Sequence, residues 1–207
     1  MRSSSYAPQT AEALIETIPI SGNLDHFWKD LLELEENGEI IKTRFGTYGL
    51  PEKMGLVVGR FQLTSKGFGF VIPDNKGERP DVFIPPRALG GAMNNDRVMA
   101  RVESSSGGNK PEGEIIRIIT HANNKIVGIF HQSGDFGFVT PDDKRIGQDI
   151  YIMKRHFGGA KTNQKVVAEI TEWPVERRNA EGKIIEILGN VGDVGLEILS
   201  IIKQNDL

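Results

Sequence analysis

Apolar residues alternate with polar or small ones through most of this chain, and the alternation comes in two blocks. In the first, Phe61 and Leu63 precede a turn, Phe68 and Phe70 follow it, and Val82 and Ile84 flank Phe83. A period of two over four to eight residues marks a strand with one face inside and one outside. Clusters of Gly, Pro, Asn and Asp separate the runs and supply turn chemistry. The pattern predicts strands at about 57–64, 67–73, 80–84, 96–103 and 112–119, then at about 124–132, 136–140, 149–152, 165–171 and 181–188. Five short strands per block suit the partly open β-barrel called the OB-fold, so the chain is read as mainly β.

The second block is a copy of the first. Phe68-Gly69-Phe70-Val71 recurs 68 residues on as Phe136-Gly137-Phe138-Val139, and Asp81-Val82-Phe83-Ile84 recurs at the same offset as Asp149-Ile150-Tyr151-Ile152. Asp96-Arg97-Val98-Met99-Ala100-Arg101-Val102 lines up with Gln164-Lys165-Val166-Val167-Ala168-Glu169-Ile170. Gly113 to Ile119 meets Gly182 to Leu188 after one inserted residue. The period is too long for a solenoid unit and fits a small domain with its own core. Two tandem barrels are expected, at 57–120 and 124–190. His121-Ala122-Asn123-Asn124 forms a linker short enough to limit their relative motion, and the loop from Ser104 to Lys110 reads as flexible.

Ahead of the barrels the period changes. Phe27, Leu31 and Leu34 recur at helical spacing, Asn23 or Asp25 is placed to cap the start, and Asn37-Gly38 supplies a stop. The segment from Glu39 to Pro51 reads as a β-hairpin turning at Phe45-Gly46. A helix followed by such a hairpin is the end of a winged helix-turn-helix, so 11–56 is expected to be a partial domain of that kind. Ala13, Leu14 and Ile18 mark one short helix over 11–18, and 1–10 reads as a disordered tail.

Alternation also nominates a binding surface. With Gly69 and Val71 inside the barrel, Phe68 and Phe70 stand outside beside Phe83. Three rings on a polar-rimmed face form a stacking platform for unpaired bases, each stack being worth about 1–3 kcal/mol. Lys66 and Arg87 are placed for phosphate contacts near its ends, and Phe136, Phe138 and Tyr151 form the second copy. The opposite phase would put the rings in the core and leave nothing to bind with. Alternation alone leaves both readings open.

A family resemblance favours the outward phase. Lys66-Gly67-Phe68-Gly69-Phe70-Val71 followed by Asp81-Val82-Phe83-Ile84 resembles the paired ribonucleoprotein motifs of cold-shock domains, whose aromatics face single-stranded nucleic acid. With Pro85-Pro86 and Ala92-Met93-Asn94-Asn95-Asp96-Arg97-Val98, it resembles the first cold-shock domain of bacterial ribonuclease R and the wider ribonuclease II family. Trp173-Pro174 with the run from Gly182 to Gly189 is similar to the second such domain, and the segment from Gly192 to Ile202 is similar to the link into the family's nuclease core. Likewise Tyr48-Gly49-Leu50-Pro51-Glu52 running into Val57-Val58-Gly59 is similar to the family's junction between winged helix and barrel.

The resemblance implies a 3′-to-5′ exoribonuclease that releases mononucleotides with Mg²⁺, in which these barrels gather single-stranded RNA. The winged helix would handle structured RNA or contact proteins, through Lys42 and Arg44 where nucleic acid is concerned. It also implies that 191–207 begins the link to a catalytic core missing from this chain, so the 207 residues alone are expected to be inactive and to need no cofactor. Two departures stand out. Pro85 and Met153 occupy positions where cold-shock proteins have His, and Gly134-Asp135 replaces Lys66-Gly67, putting an anion beside the second platform. The first barrel is therefore expected to bind RNA better than the second.

Charge tempers this picture. The formal net charge is −3, with 5 basic and 9 acidic residues in 1–57, 9 and 7 in 58–120, and 11 and 12 in 121–207. Affinity for nucleic acid depends on the number of phosphates neutralised, so modest affinity and strong salt sensitivity are expected. The absence of cysteine excludes disulfides and thiolate zinc sites. No run is long enough for a membrane span, and a cytoplasmic location is the expectation. His26, His121, His131 and His156 are scattered without metal-ligand spacing and read as surface or packing residues. The alternatives are a protein-interaction module with the rings in the core, and a winged-helix regulator binding duplex DNA.

Overall fold

The computed structural model describes residues 7–18, 23–75, 79–103, 111–175 and 178–204. The helix-period segment folds as two helices, α1 (Ala11–Thr17) and α2 (Leu24–Glu36), followed by a two-stranded hairpin, β1 (Ile41–Lys42) and β2 (Tyr48–Gly49). Asn23 caps α2, its Oδ1 accepting from the Asp25 amide at 3.2 Å. Leu31 is buried with Ala11, Leu14, Ile40, Tyr48 and Leu50 in a small separate core, and Phe27 packs against it. The hairpin turns where Gly46 takes φ +75°, a left-handed conformation that glycine adopts without cost.

The expectation of a disordered tail over 1–10 is corrected at its end. Gln9 exchanges two backbone hydrogen bonds with Tyr48, at 3.0 and 2.7 Å, and Thr10 caps α1. The hairpin edge is an unpaired row of backbone groups, and Gln9 satisfies part of it, which no local pattern announces. Residues 1–6, the loop 104–110 and residues 205–207 lie outside the described residues.

Both barrels close. In the first, β3 (Leu56–Leu63), β4 (Gly69–Pro73), β5 (Val82–Ile84), β6 (Arg97–Glu103) and β7 (Glu112–Thr120) run in the order β3-β4-β5-β7-β6, with β6 returning to β3. In the second, β8 (Lys125–Ser133), β9 (Phe136–Pro141), β10 (Ile150–Met153), β11 (Gln164–Glu172) and β12 (Glu181–Asn190) repeat that order. Among the described residues, only β5–β7 and β10–β12 pair in parallel. The first core is built on Phe61, Val71, Val82, Ile84, Val98 and Ala100, and the second on Phe130, Val139, Ile150, Ile152, Val166 and Ala168. Closure removes free edges, so each barrel is a complete unit.

The linker is fastened to the first barrel. Asp96, fully buried, accepts from the Met93 and Ala122 amides at 2.9 Å each, and its Oδ2 lies 3.0 Å from His121 Nδ1. Asn123 donates through its side chain to the Asn94 carbonyl. Met93, next to this network, packs into the second barrel's core, and the His121 ring stacks on Trp173 with centroids 3.5 Å apart. After β12, α3 (Leu196–Gln204) folds back on the second barrel with Leu196 and Ser200 buried. On the same helix Ile198, Ile201 and Ile202 are exposed.

Candidate nucleic-acid interface

The geometry around Gly69 decides on which side the rings lie. A Cβ at Gly69 would strike the ring of Phe61, so the glycine is what lets that ring fill the barrel beneath β4. Val71 is also inside, fully buried. With Gly69 and Val71 inward, strand geometry sends Phe68 and Phe70 outward. Phe70 pairs across to Phe83, and all three rings are half-buried, outside the core cluster. Their centroids are 5.6–5.9 Å apart with steeply tilted planes, so the cluster presents both faces and edges to solvent.

The second barrel repeats the device. A Cβ at Gly137 would meet the Phe130 ring, Val139 is inside, and Phe136, Phe138 and Tyr151 form the outer triplet at 5.4–5.9 Å. Phe136 lies nearly parallel to Tyr151, with 25° between planes, and is the most open of the set.

The charged candidates are arranged less simply. Lys66 is exposed in the turn between β3 and β4 and makes no ion pair among the described residues. Arg87 is also exposed, but its guanidinium lies 2.9 Å from Glu112 Oε1, a surface pair that contributes little and exchanges readily. In the second barrel the turn is one residue shorter, Gly134-Asp135 standing against Ser65-Lys66-Gly67. The acid there is not bare, because Lys154 Nζ lies 2.6 Å from Asp135 Oδ1. That hydrogen bond and the Lys154 charge hold the Asp135 carboxyl below the usual carboxylate range.

Two platform neighbours escaped sequence reasoning. Gln62 stands across from Phe70, and His131 across from Phe138, both exposed on the outer face. Alternation about Phe61 and Phe130 would have found them. Between the barrels lies a cleft of about 630 Å³, lined by Leu63, Arg87 and Gly91 on one side and Gln148, Pro174 and Arg178 on the other. Lys42 and Arg44 stand apart on the N-terminal hairpin, each over an aromatic neighbour: Lys42 over Tyr48 at 5.6 Å, and Arg44 over the exposed Phe45 at 4.8 Å. Among the described residues, no three of His, Cys, Asp and Glu come together as a metal site, and no helix is long and apolar enough to cross a membrane.

Comparison with known proteins follows the same division. Residues 59–118 match the family model described as Ribonuclease B OB domain, and residues 138–207 match the one described as Cold shock domain. Fold and outer aromatic faces define a tandem-barrel protein of the cold-shock and OB class. Ribonuclease R of Thermotoga maritima is 35% identical over 178 residues, which cover 84% of this chain and 24% of that protein. Ribonuclease R of Vibrio parahaemolyticus is 30% identical over 203 residues, covering 97% and 24%. The solved structure of Mycoplasma genitalium RNase R in complex with ribose methylated single-stranded RNA matches with a TM-score of 0.65 at 20% identity, over 73% of this chain and 24% of that one. The chain thus carries a Ribonuclease B OB domain and a cold-shock domain and is similar to ribonuclease R over most of its length, spanning about a quarter of the length of the curated relatives it matches.

Proposed function

We propose that the two barrels bind single-stranded RNA on their outer aromatic faces and guide it toward the nuclease centre of a ribonuclease R-like 3′-to-5′ exoribonuclease, of which this chain is the N-terminal part, working in the cytoplasm. The observation that carries the reading is the ring triplet outside each core, held there by Gly69 over Phe61 and Gly137 over Phe130. Stacking on such rings tolerates any base, which suits an enzyme that must travel along a strand. Lys66, and Arg87 once it leaves Glu112, would neutralise phosphates beside the first platform, while Asp135 occupies Lys154 beside the second. The first barrel is thus the stronger site. The cleft between Arg87 and Arg178 offers a passage from one barrel to the other.

Hydrolysis to 5′-mononucleotides is assigned to the remainder of the longer protein. Among the described residues no three His, Cys, Asp or Glu side chains come together to hold a magnesium ion. The test is a salt-titrated comparison of single-stranded RNA, duplex RNA and duplex DNA. The account expects single-stranded RNA to bind tightest, with affinity falling steeply as salt rises. Preference for duplex DNA would overturn it.

A second reading applies to the N-terminal module alone. As a partial winged helix it would handle structured RNA through Lys42 and Arg44, yet α2 exposes Leu24, Trp28 and Leu32 beside Asp25, Glu35 and Glu36. That mixed acidic and apolar surface favours contact with protein over contact with phosphate.

A further inference from the structure

The strands farthest from the rings carry a feature that RNA binding leaves unused. In β6, Val98 and Ala100 fill the first core, so Met99 between them points outward, yet it is fully buried. In β11, Val166 and Ala168 are core, and outward-pointing Val167 is 3% exposed. An outward apolar residue on a closed barrel is buried only when something outside covers it.

In both cases a helix lies alongside. At Met99 it is the C-terminus of α2, where Gly38 takes φ +70° and sits so close that a Cβ would lie 2.5 Å from Ile119 Cδ1 and 3.7 Å from Met99 Cε. At Val167 it is α3, which packs on β8 and β12, the strands flanking β11, with Leu196 against Gly189.

A cation marks each place. Arg97 donates through Nε and Nη2 to Asp74 Oδ2, at 3.0 and 2.8 Å, and through Nη1 to the carbonyl of Asn37, the C-cap of α2, at 2.7 Å. Sixty-eight residues on from each partner, Lys165 Nζ lies 2.7 Å from Asp142 Oδ2 and 3.8 Å from Glu197 in the first turn of α3. The cation, its aspartate and the outward apolar residue are all repeat-equivalent, although α2 precedes the barrels and α3 follows them.

We infer that each barrel carries a copy of one helix seat, on which Arg97 or Lys165, held by an aspartate, captures a helix that presents a free carbonyl end or an acidic side chain. In the closed order β3-β4-β5-β7-β6, the seat strand β6 is two strands removed from both ring-bearing strands, β4 and β5. The same holds for β11 against β9 and β10. Each barrel is therefore a two-faced adaptor, gripping a helix of its own chain behind while the rings face outward in front. The seats stand independently of the RNA reading; only the independence of the two faces rests on it.

Hydrogen exchange on the whole chain tests this. Arg97→Gln should raise exchange in 24–42 by about tenfold while the strands and α3 keep their protection, because a charge-assisted bond to the helix end is lost. Lys165→Gln should do the same to 196–204 and leave α2 unchanged. Gly38→Ala and Glu197→Gln probe the same seats from the helix side, should either cation variant fail to fold. Unchanged helices, loosening of the barrel strands together with a helix, or one substitution releasing both helices would overturn the duplicated seat. Arg97→Gln should also leave single-stranded RNA affinity within about twofold, the margin expected of distant sites. A larger loss would refute the two-faced arrangement, whereas failure of the unaltered chain to bind RNA would sink the RNA reading and leave the seats untouched.

Discussion

Gly69 and Gly137 each do something no other residue type can do at these places, since a side chain there would occupy the volume of Phe61 or Phe130. Gly69→Ala is expected to destabilise the first barrel by about 1–3 kcal/mol, the usual cost of overpacking, seen as a lower urea midpoint with an unchanged slope. Gly137→Ala should do the same to the second, and an unmoved midpoint would show that the rings beneath have room to spare. Asp135 gives a contrasting case, a residue expected to affect binding without affecting stability. Its carboxyl is lowered by Lys154, so it stays ionised to lower pH than a solitary aspartate, and mild acidification does not free the lysine. Asp135→Asn should free it, steepening the salt dependence of RNA affinity by about 0.7 in log–log slope, one phosphate contact on a single strand. An unchanged slope would place Lys154 away from the bound strand.

At the scale of elements, alternation served well because each strand is half inside and half outside. Observed strand limits such as Leu56–Leu63 and Gln164–Glu172 fall within a residue or two of those read from the pattern. The ring phase was not legible from period alone, since Phe68 and Phe61 are equally apolar; the glycine that makes room for the Phe61 ring is the signal that separates them. Also hidden was Gln9 on the hairpin, a backbone pairing between elements far apart in sequence. The shorter turn of the second copy was masked because the 68-residue match begins only at Phe68, whereas the strand before the turn matches at 69, Phe61 standing against Phe130. If the two platforms are unequal, Phe70→Ala should cost more RNA affinity than Phe138→Ala in the whole chain, and equal losses would remove the ranking.

The whole molecule depends on contacts that no periodicity could disclose. Asp96 looks like a turn residue, yet it ties the linker to the first barrel beside Met93, which fills the second core. Asp96→Ala leaves the buried Met93 amide without its acceptor, at about 1–3 kcal/mol, removes the tie to the more open Ala122 amide, and should turn one cooperative unfolding transition into two. A single unshifted transition would mean that the barrels are coupled some other way.

The central claim is that the rings serve RNA and not the core. It is tested most directly by measuring single-stranded RNA affinity and urea stability together for the unaltered chain and for Phe68→Ala with Phe83→Ala. The account predicts a loss of affinity of at least about thirtyfold, from two stacks of about 1–3 kcal/mol each, with far less destabilisation than the ~3–5 kcal/mol of a core Phe→Ala change. Core-sized destabilisation with RNA affinity intact would contradict it.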